Sequence, residues 1–193
     1  MSQNDVLMKE EVNNFANMAY NAIPEHIDEK QRFYLMFNLV LVKYCARPST
    51  LIDNVYLSED LLKDSIFINF LSTNDLKTQV MRTQAEFGEQ LWIYNIIYEN
   101  MFMGIENLDH NDPNTHKIVG ELLGYPCAGY FFEAYTQRSL LVMMSIGESD
   151  VYGYVCPITI ENIHDAGDKW VLFNAYANML DMNLTLKIDQ GLI

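Results

Sequence analysis

The spacing of apolar residues changes near Arg138, and this change constrains the fold more than any other feature of the sequence. Before it, apolar side chains recur every three to four residues, as they do on one face of an α-helix. After it, residues 139–147 and 150–160 have the β-branched and aromatic content of strands. We therefore predict an α+β fold, with a mainly helical N-terminal two-thirds and a small antiparallel sheet plus a helix in the C-terminal third.

Proline and capping residues divide the sequence into predicted elements. Pro24 and Pro48 each separate two apolar repeats, and Ser58 has the side chain and the acidic neighbours of a helix N-cap. We expect helices over residues 6–22, 25–46, 59–71, 75–104, 113–123, 128–137 and 168–181, and a last strand over 183–188. The helix over 75–104 is the longest of these, so we expect it to lie at the centre of the fold.

Residues 112–135 are predicted to form two helices joined by a sharp turn. Asp112 and Pro113 suit the N-cap and the first turn of a helix, and Gly124 suits the left-handed position just past its end. Pro126 then prevents the helix from continuing. We expect the functional residues to lie in this hairpin.

The composition is typical of a folded, globular protein. Its 193 residues are 50% apolar, which is too much for a disordered chain even at a net charge of −14. We predict a single domain over 1–193, with a helical part over 1–137 and an α+β part over 138–193.

The odd number of cysteines, without a Cys-x-x-Cys pair, predicts neither a disulfide scaffold nor a zinc knuckle. A charged N-terminus and short apolar runs predict a cytoplasmic protein that enters no membrane.

The charge distribution restricts the partners of the protein. The excess of 26 Asp+Glu over 12 Lys+Arg opposes binding to duplex DNA and to anionic lipid. No Lys or Arg occurs between Arg82 and Lys117. The acidic residues of that interval are Glu86, Glu89, Glu99, Glu106, Asp109 and Asp112. This interval predicts either a solvated acidic face or a surface that binds a basic partner or mimics nucleic acid.

Four polar residues form a candidate metal site. Asp109, His110, Asp112 and His116 have the side chains that hold zinc or a non-haem metal ion. An EF-hand loop is excluded, because its obligatory glycine position is not occupied by glycine. A polar loop with a helix cap is the alternative explanation of the same residues.

Cys127 is a candidate nucleophile, with His116 as its base and Glu121 nearby. It lies where the next predicted helix begins, and a helix N-terminus favours the thiolate. The alternative for Cys127 is a packed apolar side chain. A packed side chain is what we expect for Cys45 and Cys156, which fall within a helix pattern and a strand pattern.

Aromatic residues crowd the second half of the predicted hairpin. Tyr125, Tyr130 and Phe131, with Arg138 beyond them, form a candidate binding surface. Such a surface can stack a nucleobase or bind a protein, and packing in the core is the alternative.

Residues 116–127 carry a local motif, HKIVGELLGYPC, which is followed by Phe131-Phe132. The motif resembles the His-x3-Gly-x-Leu-Leu-Gly-Tyr-Pro-x-Cys-Cys pattern of a poorly characterised family of archaeal and phage proteins. Cys127 here directly follows proline, and Ala128-Gly129 stand where that family has paired cysteines. The resemblance therefore implies a shared local motif, without the redox or metal role that such a cysteine pair would carry.

The sequence lacks the common catalytic motifs. No phosphate-binding loop, GxGxxG, GxSxG or HExxH occurs in it. Its use of Asn, Ile, Lys and Tyr is typical of A·T-rich genes, such as those of phages, large DNA viruses and many bacteria. We therefore expect an acidic intracellular accessory protein, such as a viral or phage-encoded inhibitor or regulator. It is predicted to act by protein–protein binding, without a cofactor.

The partner and the alternative functions follow from the same features. The predicted partner is a basic protein or, in a homo-oligomer, a second copy of the chain. One alternative is a small-molecule (nucleotide) binding protein that uses the aromatic surface. The other is a Cys/His-dependent or metal-dependent enzyme centred on residues 109–127.

Overall fold

The computed structural model of the protein describes residues 3–52, 54–82, 89–105, 108, 112–125, 140–146, 152–158 and 163–190. Its α-helices are α1 (Gln3–Ala22), α2 (Glu29–Lys43), α3 (Val55–Lys63), α4 (Ser65–Thr73), α5 (Pro113–Leu122) and α6 (Ile163–Met179). A 3₁₀-helix, η1, covers Ile96–Phe102. The strands are β1 (Ser49–Ile52), β2 (Leu76–Arg82), β3 (Glu89–Asn95), β4 (Leu140–Ile146), β5 (Tyr152–Ile158) and β6 (Leu184–Gln190). The predicted α+β class is confirmed.

Capping residues set the limits of α2, which is shorter than the helix predicted over 25–46. Asp28 is its N-cap, because the Asp28 carboxylate accepts a hydrogen bond from the backbone nitrogen of Lys30 at 3.0 Å. The helix ends at Lys43, and Cys45 beyond it has a left-handed φ of +60°. Cys45 is exposed, so the prediction that it packs within the helix is wrong. The reason is that α2 ends at Lys43, so Cys45 lies beyond the helix and its C-cap.

The helix predicted over 59–71 is two helices, α3 and α4, which are separated at Asp64. The Asp64 carboxylate accepts a hydrogen bond from the backbone nitrogen of Phe67 at 2.8 Å and so begins α4 as its N-cap. The N-cap of α3 is Asn54, whereas Ser58 lies inside that helix. The prediction of Ser58 as an N-cap is therefore wrong, since Asn54 starts the helix before Ser58 is reached.

Strands β1, β3 and β2 form a three-stranded sheet, sheet A, in that order. Both pairs are antiparallel, and Ile93 of the central strand β3 lies opposite Thr50 on one side and Thr78 on the other. The helix predicted over 75–104 is wrong, because the described part of that range forms β2, β3 and η1.

Burial of β3 on both faces explains why its sequence resembles a helix. Leu91 and Ile93 belong to one apolar cluster, and Trp92 and Tyr94 belong to another. Successive residues are therefore all buried, so the alternation that identifies a half-exposed strand is missing. Asp75, with a left-handed φ of +59°, separates α4 from β2 within the predicted helix.

A second three-stranded sheet, sheet B, forms from β5, β4 and β6 in that order, with both pairs antiparallel. This arrangement confirms the antiparallel sheet predicted after residue 138. Helix α6 begins at Ile163, earlier than the predicted 168. Strand β6 confirms the last predicted strand. The turn between the first two predicted strands and the helix predicted over 128–137 lie outside the described residues.

Two apolar clusters fill the described part of the molecule. The main cluster contains side chains of α1, α2, α4, α6 and both sheets. The second cluster lies against the opposite side of β3 and consists of Met81, Trp92, Tyr94, Phe102, Ile105, Leu122 and Leu123. Sheet A therefore packs against the helices α2, α3 and α4 through one cluster and shares the other cluster with η1 and α5.

Three glycines provide a test of how tightly the end of α5 is packed. A Cβ atom on Gly124 (φ +71°) would lie 2.8 Å from Cδ of Pro48, whereas a Cβ on Gly104 (φ +87°) would meet nothing within 4 Å. We expect Gly104→Ala to lower the free energy of unfolding by about 1–2 kcal/mol through backbone strain alone. Gly124→Ala should add overpacking and lower it by about 3 kcal/mol or more.

The control is Gly167→Ala, because a Cβ on Gly167 within α6 also meets nothing within 4 Å. That substitution should stabilise the protein by up to about 1 kcal/mol, since alanine favours helix. Urea unfolding of the three variants checks the order. Equal losses for Gly124→Ala and Gly104→Ala would mean that the contact with Pro48 is not tight.

Candidate functional site

Helix α5 ends in a Schellman arrangement of two backbone hydrogen bonds. The backbone nitrogen of Gly124 donates to the carbonyl of Glu121 at 3.0 Å, and that of Tyr125 donates to the carbonyl of Gly120 at 2.8 Å. This pair of bonds requires a left-handed backbone conformation at the residue after the helix end. Gly124, with a φ of +71°, has that conformation. The predicted left-handed position of Gly124 is confirmed.

This helix end packs on the segment that leads into β1. The hydroxyl of Ser49 donates a hydrogen bond of 2.6 Å to the carbonyl of Leu122, which satisfies one of the last carbonyls of α5. A Cβ atom on Gly124 would lie 3.5 Å from Cβ of Arg47. The glycine therefore brings the backbone after α5 close to Arg47.

Arg47 is a buried cation that is held by a side chain of α2. Only 3% of Arg47 is exposed, and its Nη1 donates to Oδ1 of Asn38 at 2.6 Å. Asn38 is 1% exposed and also donates to the carbonyl of Tyr34 at 2.9 Å. A charge-assisted hydrogen bond of this length fixes the position of the guanidinium group.

Lys169 of α6 is close to this arginine. Its side chain is half-buried, and burial, followed by the positive charge of Arg47, lowers the pKa of Lys169. Two positively charged side chains from distant parts of the sequence therefore lie close enough for their charges to interact. We name this site the Arg47 corner and define it by Asn38, Arg47, Gly124 and Lys169.

Substitution of Asn38 tests how Arg47 is held. Asn38→Leu removes the oxygen that accepts from the buried guanidinium, so we expect the free energy of unfolding to fall by about 2–3 kcal/mol. Asn38→Asp keeps an acceptor oxygen and should cost less. Denaturant unfolding of both variants measures the difference. If Asn38→Leu is as stable as the native protein, the hydrogen bond does not contribute to stability.

A cluster of hydroxyl and thiol groups lies at the C-terminal end of α2. Burial, followed by the nearby Cys45 thiol, raises the pKa values of Tyr98 and Tyr176. The ring of Tyr44 stacks on that of Tyr176 with centroids 5.8 Å apart. Burial, followed by the negative charge of Glu11, raises the pKa of Tyr44 to about 12. All of these effects keep the tyrosines in their neutral form.

The raised pKa of Tyr44 predicts a loss of stability at alkaline pH. The folded protein keeps the Tyr44 proton up to about pH 12, whereas the unfolded chain loses it near pH 10. Stability from this group is therefore complete below about pH 10 and falls as the pH rises towards 12. Tyr44→Phe should make this fall smaller, and the exposed Tyr56→Phe should not. Urea unfolding at several pH values measures it, and an unchanged slope in Tyr44→Phe would contradict the expectation.

An exposed apolar surface lies on and just after η1. It consists of Ile96, Ile97, Met101 and Met103, and we name it the η1 surface. Ile97 is 66% exposed and Met103 is 76% exposed. Underneath, the ring of Phe102 stacks on Tyr94 with centroids 4.0 Å apart and an interplanar angle of 8°. Aromatic packing between η1 and β3 therefore holds in place the element that carries these exposed side chains.

Three of the predicted site residues have structural roles. Asp112 is the N-cap of α5, and its carboxylate accepts from the backbone nitrogen of Asn114 at 2.9 Å, which confirms the predicted cap. Glu121 is exposed, and its carboxylate lies 3.9 Å from Nζ of Lys117. Tyr125 is half-buried and packs against both apolar clusters.

The other predicted site residues lie outside what the structure describes. They are Asp109, His110, the side chain of His116, Cys127, Tyr130, Phe131 and Arg138. Among the described side chains, no three His, Cys, Asp or Glu residues group as metal ligands. The metal site and the cysteine nucleophile therefore stay predictions. No helix in the described ranges is long and apolar enough to cross a membrane.

Sequence reasoning missed the Arg47 corner. One signal was present, because Asn38 interrupts an apolar run from Phe33 to Val42, and a buried amide needs partners. The partner itself could not be named from the sequence, since Arg47 follows the helix and Lys169 is far along the chain. The η1 surface was missed because its residues were assigned to a long helix.

Comparisons with known proteins add no relative to this picture. The chain has no significant match among models of protein families, among curated proteins or among solved structures. The resemblance of residues 116–127 to the archaeal and phage motif stays a prediction. Function is therefore argued from the geometry of the described residues.

Proposed function

We propose that the protein is an accessory protein that binds a basic protein partner through the η1 surface. The observation that carries this proposal is the exposure of four large apolar side chains on η1 and on the residue that follows it. Contiguous exposed apolar residues mark interaction sites on proteins more often than single ones do. Two of the four are methionines, whose flexible side chains adapt to different partner shapes.

The rigid attachment of η1 supports a role in binding. Asn95 is the N-cap of η1, and its side chain accepts a hydrogen bond from the backbone nitrogen of Ile97 at 3.1 Å. The same side chain donates to the carbonyl of Lys43 at 3.0 Å, which ties η1 to the end of α2. A surface that is already ordered loses less conformational entropy when it binds.

Charge determines the kind of partner. The chain carries a net charge of −14, and the interval from Arg82 to Lys117 that contains η1 has no other Lys or Arg. Glu99 of η1 forms an ion pair with Lys77 of β2. A basic partner would find a favourable electric field around the apolar contact, which raises the rate of association. An inhibitor or regulator encoded by a virus or phage is the form of this function that the composition favours.

A substitution on the η1 surface tests the proposal. Ile97→Glu should weaken binding of the partner at least tenfold, since burial of an isoleucine contributes about 1.5–3 kcal/mol and about 1.4 kcal/mol is tenfold. Ile66→Glu is the matched control, because Ile66 of α4 is 67% exposed and lies on a different element. Both variants should unfold within about 0.5 kcal/mol of the native protein.

The partner can be identified by a photo-crosslinking amino acid placed at position 97 or at position 66, in extract of the source cells. We expect a basic protein to be crosslinked from position 97 only, with a yield that falls as salt is added. Affinity for that protein is then measured with Ile97→Glu and Ile66→Glu. The proposal is wrong if both positions give the same products, if the product from position 97 is acidic, or if Ile97→Glu binds normally. A second copy of the chain as the sole product would also contradict it.

A further inference from the structure

A groove lies between α4 and β2 at the outer edge of sheet A, and we name it the β2 edge groove. Its volume is about 250 Å³, and the residues that line it are Ile68, Leu71, Ser72, Leu76, Lys77 and Thr78. A cavity of about 150 Å³ in a protein already holds a benzene molecule, so this groove has room for an aliphatic side chain.

The lining residues show that the groove borders the backbone of β2. Leu76, Lys77 and Thr78 are consecutive, and consecutive side chains of a strand point to opposite faces of its sheet. A groove over one face would be lined by alternate residues, so this one lies along the edge of the strand. Among the described strands, β2 is hydrogen-bonded only to β3. The outer N–H and C=O groups of this stretch therefore face the groove.

The opposite wall of the β2 edge groove is formed by one face of α4. Ile68, Leu71 and Ser72 are spaced by three and four residues, which places them on the same face of that helix. Leu71 is 2% exposed, and Ile68 packs against the main apolar cluster. The wall is therefore held in place by the core, and the groove does not have to be ordered before it binds.

We propose that the β2 edge groove binds an extended segment of a partner protein, which adds to β2 as a further strand. Another strand has the row of backbone donors and acceptors that matches the edge of β2. An aliphatic side chain of the segment then lies between α4 and β2, against the apolar side chains of the wall. This inference goes beyond the proposed function, because the groove recognises an extended backbone and the η1 surface presents apolar side chains.

Charge determines the composition of the segment. The chain carries a net charge of −14, so a second copy is repelled and a basic segment is attracted. Lys77, the cation that lines the groove, has its charge compensated by Glu99 of η1. The side chain of Asp75, just before the groove residues of β2, is 70% exposed and lies 3.4 Å from Nζ of Lys43. The segment is therefore one in which basic residues alternate with aliphatic ones.

The probe for the test is a heptapeptide of alternating lysine and valine, with a glutamate–valine heptapeptide as its counterpart of opposite charge. Binding is measured by isothermal titration calorimetry to the native protein, Ser72→Trp and Ser65→Trp. Both serines are exposed residues of α4, but only Ser72 lines the groove. Both variants should unfold at the same urea concentration as the native protein.

We expect the lysine–valine peptide to bind the native protein and the glutamate–valine peptide to bind at least tenfold more weakly. Ser72→Trp should raise the Kd at least tenfold, because the larger side chain occupies the groove, and Ser65→Trp should leave the Kd unchanged. Ile97→Glu should not weaken binding of the peptide, so a failure of this site is distinguishable from a failure of the η1 surface.

Two further measurements report addition of a strand. On native protein, the peptide should slow hydrogen exchange at backbone amides of β2 and not at those of η1. One lysine–valine peptide is N-methylated at all its lysines and another at all its valines. Because alternate N–H groups of a strand point to the same side, one of the two should lose binding and the other should keep it.

Several results would overturn the proposal. They are no binding of the lysine–valine peptide, equal binding to Ser72→Trp and Ser65→Trp, unchanged hydrogen exchange in β2, and equal effects of the two N-methylated peptides. A native dimer in sedimentation that Ser72→Trp converts to a monomer would also overturn it, since the occupant would then be a second copy of the chain.

Discussion

The arrangement of the described residues depends on the burial of β3 between two apolar clusters. Its odd-numbered residues Leu91 and Ile93 belong to the cluster shared with α2, α3 and α4, and its even-numbered residues Trp92 and Tyr94 belong to the cluster shared with η1 and α5. Because β3 is also the central strand of sheet A, it has hydrogen-bonded neighbours on both edges. Removal of large side chains from a strand in this position would leave cavities in either cluster, and such cavities are costly. The element that carries the η1 surface follows this strand directly and packs on one of the two clusters.

The antiparallel pairing of β1 with β3 brings Arg47 and the η1 surface to one end of sheet A. Ser49 at the start of β1 lies opposite Tyr94 near the end of β3. Arg47 lies just before the first of these strands, and η1 begins just after the second. The backbone nitrogen of Asn95 also donates to the carbonyl of Pro48 at 3.4 Å, which joins the two segments. The segment that carries Arg47 and the η1 surface therefore share a structural support at this end of sheet A.

Local signals in the sequence predicted the parts of this structure that local interactions determine. The cap at Asp112, the left-handed Gly124 and the strands of sheet B each depend on neighbouring residues, and the structure bears them out. The helix predicted over 75–104 failed because burial on both faces removes the alternation that identifies a strand. Among the site residues, Arg47 and Lys169 could not be paired from sequence, because their meeting depends on how α2 and α6 pack. A lone buried amide such as Asn38 indicates that a polar partner exists, but it does not say which residue provides it.

Three of the described helices end in left-handed residues that are not glycine, and two of these residues are aspartates that bind another helix. Asp75, after α4, lies 3.4 Å from Nζ of Lys43 on α2, and Asp181, after α6, lies 3.1 Å from Nζ of Lys9 on α1. A left-handed aspartate is strained by about 1–2 kcal/mol, whereas an exposed ion pair contributes about 0–1 kcal/mol and is screened by salt. Each aspartate thus combines a strained backbone with a link between helices that weakens as ionic strength rises. The link from Lys9 to Asp181 between α1 and α6 is consequently sensitive to the ionic composition of the surroundings, whereas the hydrogen bond from Asn13 of α1 to the carbonyl of Met179 is not.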